Sequence, residues 1–138
     1  MQVQPYLFFE GRCEDALDFY RRALGAEIGP ITRFRDNPDD PDGRNFPPGA
    51  GEMVMHASFR VGETTILASD GRCSGQAATF GGMSLTLHAA DEAEAERLFR
   101  ALSLDGQIRM PMQKTFFSSA FGMVTDPFGV SWMVLVYG

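Results

Sequence analysis

The chain has 138 residues, 44% apolar and 22% charged, the balance of a globular domain with a core of its own. A net charge of -6 offers no basic field to a phosphate backbone, which argues against nucleic acid as a partner. The apolar runs are strand-length, and residues 1–5 show neither a basic n-region nor a long apolar h-region, so no membrane partner and a cytoplasmic protein are expected.

Residues 2–9 read as a strand, with Tyr6-Leu7-Phe8-Phe9 apolar on both faces. Residues 11–24 read as an amphipathic helix, because Ala16, Leu17, Tyr20, Ala23 and Leu24 fall on one stripe. Gly25 is placed to end it in the left-handed region. Residues 26–35 read as a second strand, weakened by Gly29-Pro30. Residues 36–51 then hold four Pro, four Asp and three Gly, a composition that predicts a long mobile loop. Such a loop is either a tolerated surface insertion or a lid over a pocket. Its carboxylates lack EF-hand spacing and the terminal Glu of a Ca²⁺ loop.

Residues 52–70 form a hairpin turning at Val61-Gly62-Glu63, and residues 71–80 a glycine-bearing connector. In 82–89, Met83, Leu85 and Leu87 alternate with Ser84, Thr86 and His88, the pattern of a strand with two unlike faces. Asp91 caps a second helix with Glu94 in a box-like relation, and Ala95, Leu98, Phe99 and Leu102 make its apolar stripe. Gly106 closes the turn into a strand over 107–113. The last hairpin pivots on Asp126-Pro127-Phe128-Gly129, where Pro fixes φ and Gly supplies a positive φ. Its flanks, 121–124 and 130–136, are rich in aromatic and β-branched residues.

The order is β-α-β-β-β, twice. Phe19-Tyr20 matches Leu98-Phe99 at an offset of 79 (98 minus 19), and Gly62 matches Gly129 at 67 (129 minus 62). The difference of 12 places an excess in the first copy between helix and hairpin, where the 36–51 loop lies. One α+β module of about 1–71 is thus followed by another of about 81–138.

Several stretches resemble the PhnB-like branch of the vicinal oxygen chelate superfamily, which includes glyoxalase I, extradiol dioxygenases and the fosfomycin and bleomycin resistance proteins. They are Pro5-Tyr6-Leu7-Phe8-Phe9-Glu10-Gly11, Phe19-Tyr20-Arg21-Arg22-Ala23-Leu24-Gly25-Ala26, Met55-His56-Ala57, Ala68-Ser69-Asp70-Gly71, Met112-Gln113-Lys114-Thr115-Phe116, and Phe121-Gly122-Met123 through Gly129-Val130-Ser131-Trp132-Met133. The resemblance implies a single domain, 1–138, whose two βαβββ modules form curled mixed sheets around a cup for a small molecule. It also implies a homodimer.

Superfamily enzymes hold a divalent metal with His, Glu or Gln from the first and last strands of each module. Carried over by strand register, those positions are Pro5, Ile66, Ser84 and Met133, with Gln4 or Tyr6 as one-residue alternatives at the first strand. None of the four is a usable ligand for a hard dication, so no metal and no cofactor are expected. The expected polar orienters in the cup are Ser84, Thr86, His88 and Lys114, against walls of Leu7, Phe9, Met133 and Leu135. His88 alternatively reads as a half-exposed histidine at a strand end, and Lys114-Thr115 as an ordinary turn. His56 reads as a structural histidine, Asp70-Gly71 as a turn, and Cys13 and Cys73, without C-x-x-C spacing, as structural or incidental thiols.

The leading expectation is a PhnB-like protein that binds a small organic molecule without a catalytic metal, its reaction open. The alternatives are a metal-dependent lyase or dioxygenase, a methyltransferase-type enzyme, or a dimeric scaffold with a collapsed cup.

Overall fold

The structure, a computed structural model, describes residues 1–137. It divides into two compact units, Met1–Ala78 and Thr79–Gly138. The first contains β1 (Tyr6–Phe8), α1 (Cys13–Leu24), β2 (Glu27–Ile28), β3 (Thr32–Arg33), β4 (Val54–Val61) and β5 (Thr64–Ser69). The second contains β6 (Leu85–Ala89), α2 (Glu92–Ser103), β7 (Gln107–Gln113), β8 (Ser118–Thr125) and β9 (Ser131–Tyr137).

The helices are the clearest trace of the repeat. Each has 12 residues, and they start 79 positions apart (92 minus 13). Gly25 ends α1 at φ 67°, with its own amide returning to the Arg21 carbonyl and that of Ala26 to the Tyr20 carbonyl. At the start of α2 the Asp91 carboxylate accepts from the Glu94 amide at 2.8 Å, and Glu94 reaches back to the Ala90 amide.

The sheets are built alike. The first runs β1-β5-β4-β2, with β3 also on β4, and the second runs β6-β9-β8-β7. In each, the first strand lies parallel to the last: Tyr6 opposite Leu67, and Leu85 opposite Trp132. The strand expected over 26–35 is in fact the two short pieces β2 and β3. Pro30 has no N–H to give a ladder, and Gly29 ends the first piece on the Ser58 carbonyl.

One face of each sheet is covered by its helix. In the first unit Tyr20 stacks on Phe59 at 5.2 Å and lies 6.2 Å from Phe9. In the second, Trp132, Val134 and Val124 are buried with Leu102 and Phe99. Phe99 comes so close to β8 that a Cβ on Gly122 would lie 2.7 Å from its ring, which is why this strand carries a glycine.

The 36–51 segment contains no strand, as its composition implies, and a 3-10 turn at Phe34–Asp36 leads into it. It nevertheless buries a polar residue. Asp40 is 6% exposed and accepts from the Arg44 and Asn45 amides at 2.9 and 3.0 Å. Short Asx contacts of this kind let a Pro- and Gly-rich stretch hold a shape without a ladder. No helix is long and apolar enough to cross a membrane among the described residues.

Candidate functional site

Strand pairing fixes which side chains share the helix-free face of the second sheet, because residues paired across strands point the same way. Three rows result. The first holds Ser84, Ser131, Thr125 and Gln107; the second holds Thr86, Met133, Met123 and Met110; the third holds His88, Leu135, Phe121 and Gln113. The face therefore grades from hydroxyls through thioethers to rings along about 13 Å of strand, at roughly 3.3 Å per residue.

Each row has its own contacts. Ser84 and Ser131 share a hydrogen bond of 2.7 Å between their hydroxyls. Arg109 donates from Nε to the Thr125 hydroxyl at 3.0 Å. It can do so because the β7–β8 register slips between Ile108 and Met110, leaving Arg109 as the unpaired residue of a bulge. In the second row the Thr86 hydroxyl lies 3.9 Å from the Met133 sulfur. In the third, His88 stacks on Tyr137 at 4.6 Å, and Phe121 meets Phe117 edge-on at 5.2 Å.

The structure thus brings Ser84, Thr86, His88, Met133 and Leu135 onto one face. Thr86 and His88 are exposed, Ser84 and Met133 half-buried, while Leu135 is only 5% exposed. Lys114 follows the end of β7 in the turn that leads to Phe116 and Phe117, where Thr115 accepts from the Phe117 and Ser118 amides. It belongs to the hairpin tip, beyond the three rows.

Leu7 and Phe9 do not fit the expected role. They are 1% and 2% exposed, and Leu7 pairs through Ala68 with Ala57 on the side that α1 covers. A one-residue shift in a strand exchanges its faces, and the sequence, apolar at both parities here, gave no sign of which was inward. The helix-free side of β1 carries Tyr6 and Phe8 instead, stacked at 4.8 Å. The Tyr6 hydroxyl pairs with His56 Nδ1 at 2.9 Å, so His56 has a partner but is exposed.

The same slip moves the carried-over metal positions. Ile66 pairs with Phe59 and is buried on the helix side, and Pro5 has the parity of Leu7. The helix-free pairs at the parallel junctions are Tyr6 with Leu67 and Phe8 with Ser69 in the first unit, and Thr86 with Met133 and His88 with Leu135 in the second.

A family model described as 3-demethylubiquinone-9 3-methyltransferase matches residues 1–135. The chain belongs to this PhnB-like family. YjdN of Escherichia coli is 38% identical over 99% of the chain and 95% of its own length. Protein PA1353 of Pseudomonas aeruginosa superposes with a TM-score of 0.85 at 37% identity, covering 99% of this chain and 98% of that one. The PhnB protein of Bacillus cereus gives 0.80 at 31% identity, covering 99% of both chains. A glyoxalase/bleomycin resistance protein/dioxygenase superfamily member from Sphaerobacter thermophilus shares the fold at 14% identity and a TM-score of 0.59, over 99% of this chain and 98% of its own.

The donor set of this PhnB-like chain does not fit the metal of the superfamily's enzymes. Within the first unit Tyr6, Leu67, Phe8 and Ser69 offer a phenol, hydrocarbons and one hydroxyl; within the second Thr86, Met133, His88 and Leu135 offer one hydroxyl, one thioether and a single imidazole, and the Ser84 hydroxyl is engaged with Ser131. Hard dications want carboxylates and imidazoles converging on one point. Among the described residues no three His, Cys, Asp or Glu side chains are grouped to do so.

Residues that sequence reasoning missed are Arg109, Thr125, Ser131, Met110, Met123, Phe121 and Tyr137. Alternation within β9 could have offered Ser131 and Tyr137, since both share the parity of Met133. Arg109 had no such signal, because a bulge breaks the parity on which the reasoning depends.

Proposed function

We propose that the helix-free face of the second unit binds a small organic molecule without a catalytic metal, and that the protein works as a cytoplasmic homodimer. The observation that carries the binding reading is the middle row, where Met133, Met123 and Met110 lie side by side on three strands, all half-buried, next to the exposed Thr86. Thioethers are polarisable and conformationally adaptable, so they suit a floor that must mould to a ligand. Hydroxyls on one side and the His88 imidazole on the other supply the few polar groups that orient it.

A methyl-transfer activity that used a nucleotide-type cofactor would need a glycine-rich junction from strand to helix. The two such junctions, 9–12 and 90–91, contain one glycine between them. Self-association is supported by β7, an end strand of its sheet with Ile108 53% exposed, and by the fully exposed Phe116 at the hairpin tip. The free state of Cys13 and Cys73 suits a reducing compartment.

The test uses N-phenyl-1-naphthylamine, an uncharged fluorescent probe of apolar sites. Saturable binding to the wild type, lost in Met123→Glu and Met133→Glu but kept in Met133→Leu, is the expected outcome. Binding that persists in both Glu variants would overturn the reading. Sedimentation equilibrium reads the oligomeric state, and a monomer across the micromolar range would remove the homodimer.

A further inference from the structure

We infer that the molecule bound on this face carries an anionic group, received by Arg109, Thr125 and the Ser84–Ser131 pair. The inference rests on the binding reading above and specifies its ligand class.

Arg21, Arg22, Arg33, Arg35, Arg44, Arg60 and Arg100 all lie within ion-pair reach of a carboxylate. Arg109, like Arg72 and Arg97, has none among the described residues, although the chain carries a net charge of -6. Its one side-chain hydrogen bond among the described residues is to the Thr125 hydroxyl through Nε. Both Nη groups are therefore left to donate, in the planar fork that matches a carboxylate or phosphate. Asp126, the next residue after Thr125, is 3% exposed and spends its carboxylate on the Phe128 and Val130 amides and the Trp132 indole.

The neighbouring hydroxyls are also donors in waiting. Thr125 Oγ1 accepts from Arg109 and keeps its own O–H. Ser84 and Ser131 share a single bond, which uses one of their two hydroxyl protons and leaves the other. The spare O–H groups of this row and the Nη–H fork of Arg109, a cation with no ion-pair partner among the described residues, are matched by an anion: a carboxylate, phosphate ester, phosphonate or sulfonate. The thioether and aromatic rows begin one and two steps further along the strands, about 7 and 13 Å away. The ligand is thus an amphiphilic anion, its charged head on the hydroxyl row and its apolar body over Met123 and Met133.

A pair of dyes separates the two claims. 1-Anilinonaphthalene-8-sulfonate carries a sulfonate on the same ring system that N-phenyl-1-naphthylamine presents uncharged. Arg109→Gln, at an exposed position, is expected to weaken the sulfonate dye about tenfold, the scale of one charge-assisted contact, and to leave the uncharged dye within about twofold. Thr125→Val should shift the same preference in the same direction. Raising the ionic strength should weaken the sulfonate dye in the wild type but not in Arg109→Gln. Unchanged sulfonate binding in Arg109→Gln, or equal loss of both dyes, overturns the anion site. Uncharged-dye binding that survives Met123→Glu and Met133→Glu overturns the binding face itself, and the anion site with it.

Discussion

The Asp126 carboxylate accepts the Trp132 indole N–H at 2.9 Å, across the turn that joins β8 to β9. The same carboxylate takes the Phe128 and Val130 amides at 2.9 and 3.0 Å. One side chain thus shapes the turn and fixes the ring that α2 packs against. Both Asp126 and Trp132 are almost fully buried, so the Val130 amide and the indole have no water to turn to. Asp126→Ala should destabilise the protein by about 3 kcal/mol, because two buried donors and one part-buried donor lose this acceptor. Asp126→Asn keeps one acceptor oxygen and should cost less. Guanidinium melts followed by Trp132 fluorescence check both values; an Ala variant within about 0.5 kcal/mol of wild type would contradict the assignment.

Turn chemistry at Asp126-Pro127-Phe128-Gly129 was legible in the sequence, and so was the repeat. Both helices lie at the expected offset of 79 (92 minus 13), with Gly25 and Asp91 as their caps. Strand β7 occupies residues 107–113 as expected. Face assignment was legible only where the two parities differ in chemistry. In β6, hydroxyls and imidazole alternate with leucines, and Ser84, Thr86 and His88 share the helix-free side. In β1, where Tyr6, Leu7, Phe8 and Phe9 are all apolar, parity carries no information and Leu7 and Phe9 were misplaced. The indole-to-carboxylate bond and the Arg109 bulge depend on tertiary register, which local patterns do not encode.

Glu10 gives a pH-dependent prediction. Partial burial pushes its carboxyl up, but the amide and hydroxyl of Ser74 and the amide of Arg72 more than offset this and hold it below the ordinary range. The folded pKa lies under the unfolded one, so the stabilisation is complete above the unfolded value and fades as pH falls through the folded one. Glu10→Gln should lower Tm by about 2–4 °C at pH 7, a modest effect for a solvent-screened group, and the difference should close near pH 3. A gap that stays constant from pH 7 to pH 3 would show that the carboxylate charge has no part in holding residues 72–74.

Cys13 is fully buried at the start of α1, and burial, with Asp70 and Glu14 nearby, pushes its thiol far up. Only thiolate reacts, so Cys13 should be silent to a thiol-disulfide reagent at pH 8 in the folded protein and should react at once in denaturant. Cys73, also raised by burial and by Asp70 and Glu10 but half-exposed, should react first and slowly. Native-state labelling of two thiols with equal rates would contradict the packing at the start of α1.

The most direct measurement is a methyl NMR titration of methionine-labelled protein with N-phenyl-1-naphthylamine. Met110, Met123 and Met133 line the middle row of the helix-free face, while Met112 points the other way, its sulfur beside Gly122 on the α2 side. Saturable shifts confined to the first three methyl signals, with Met112 still, are the predicted result. Shifts spread evenly over all eight methionines, or a response led by Met112, would show that this face is not where the protein takes its ligand.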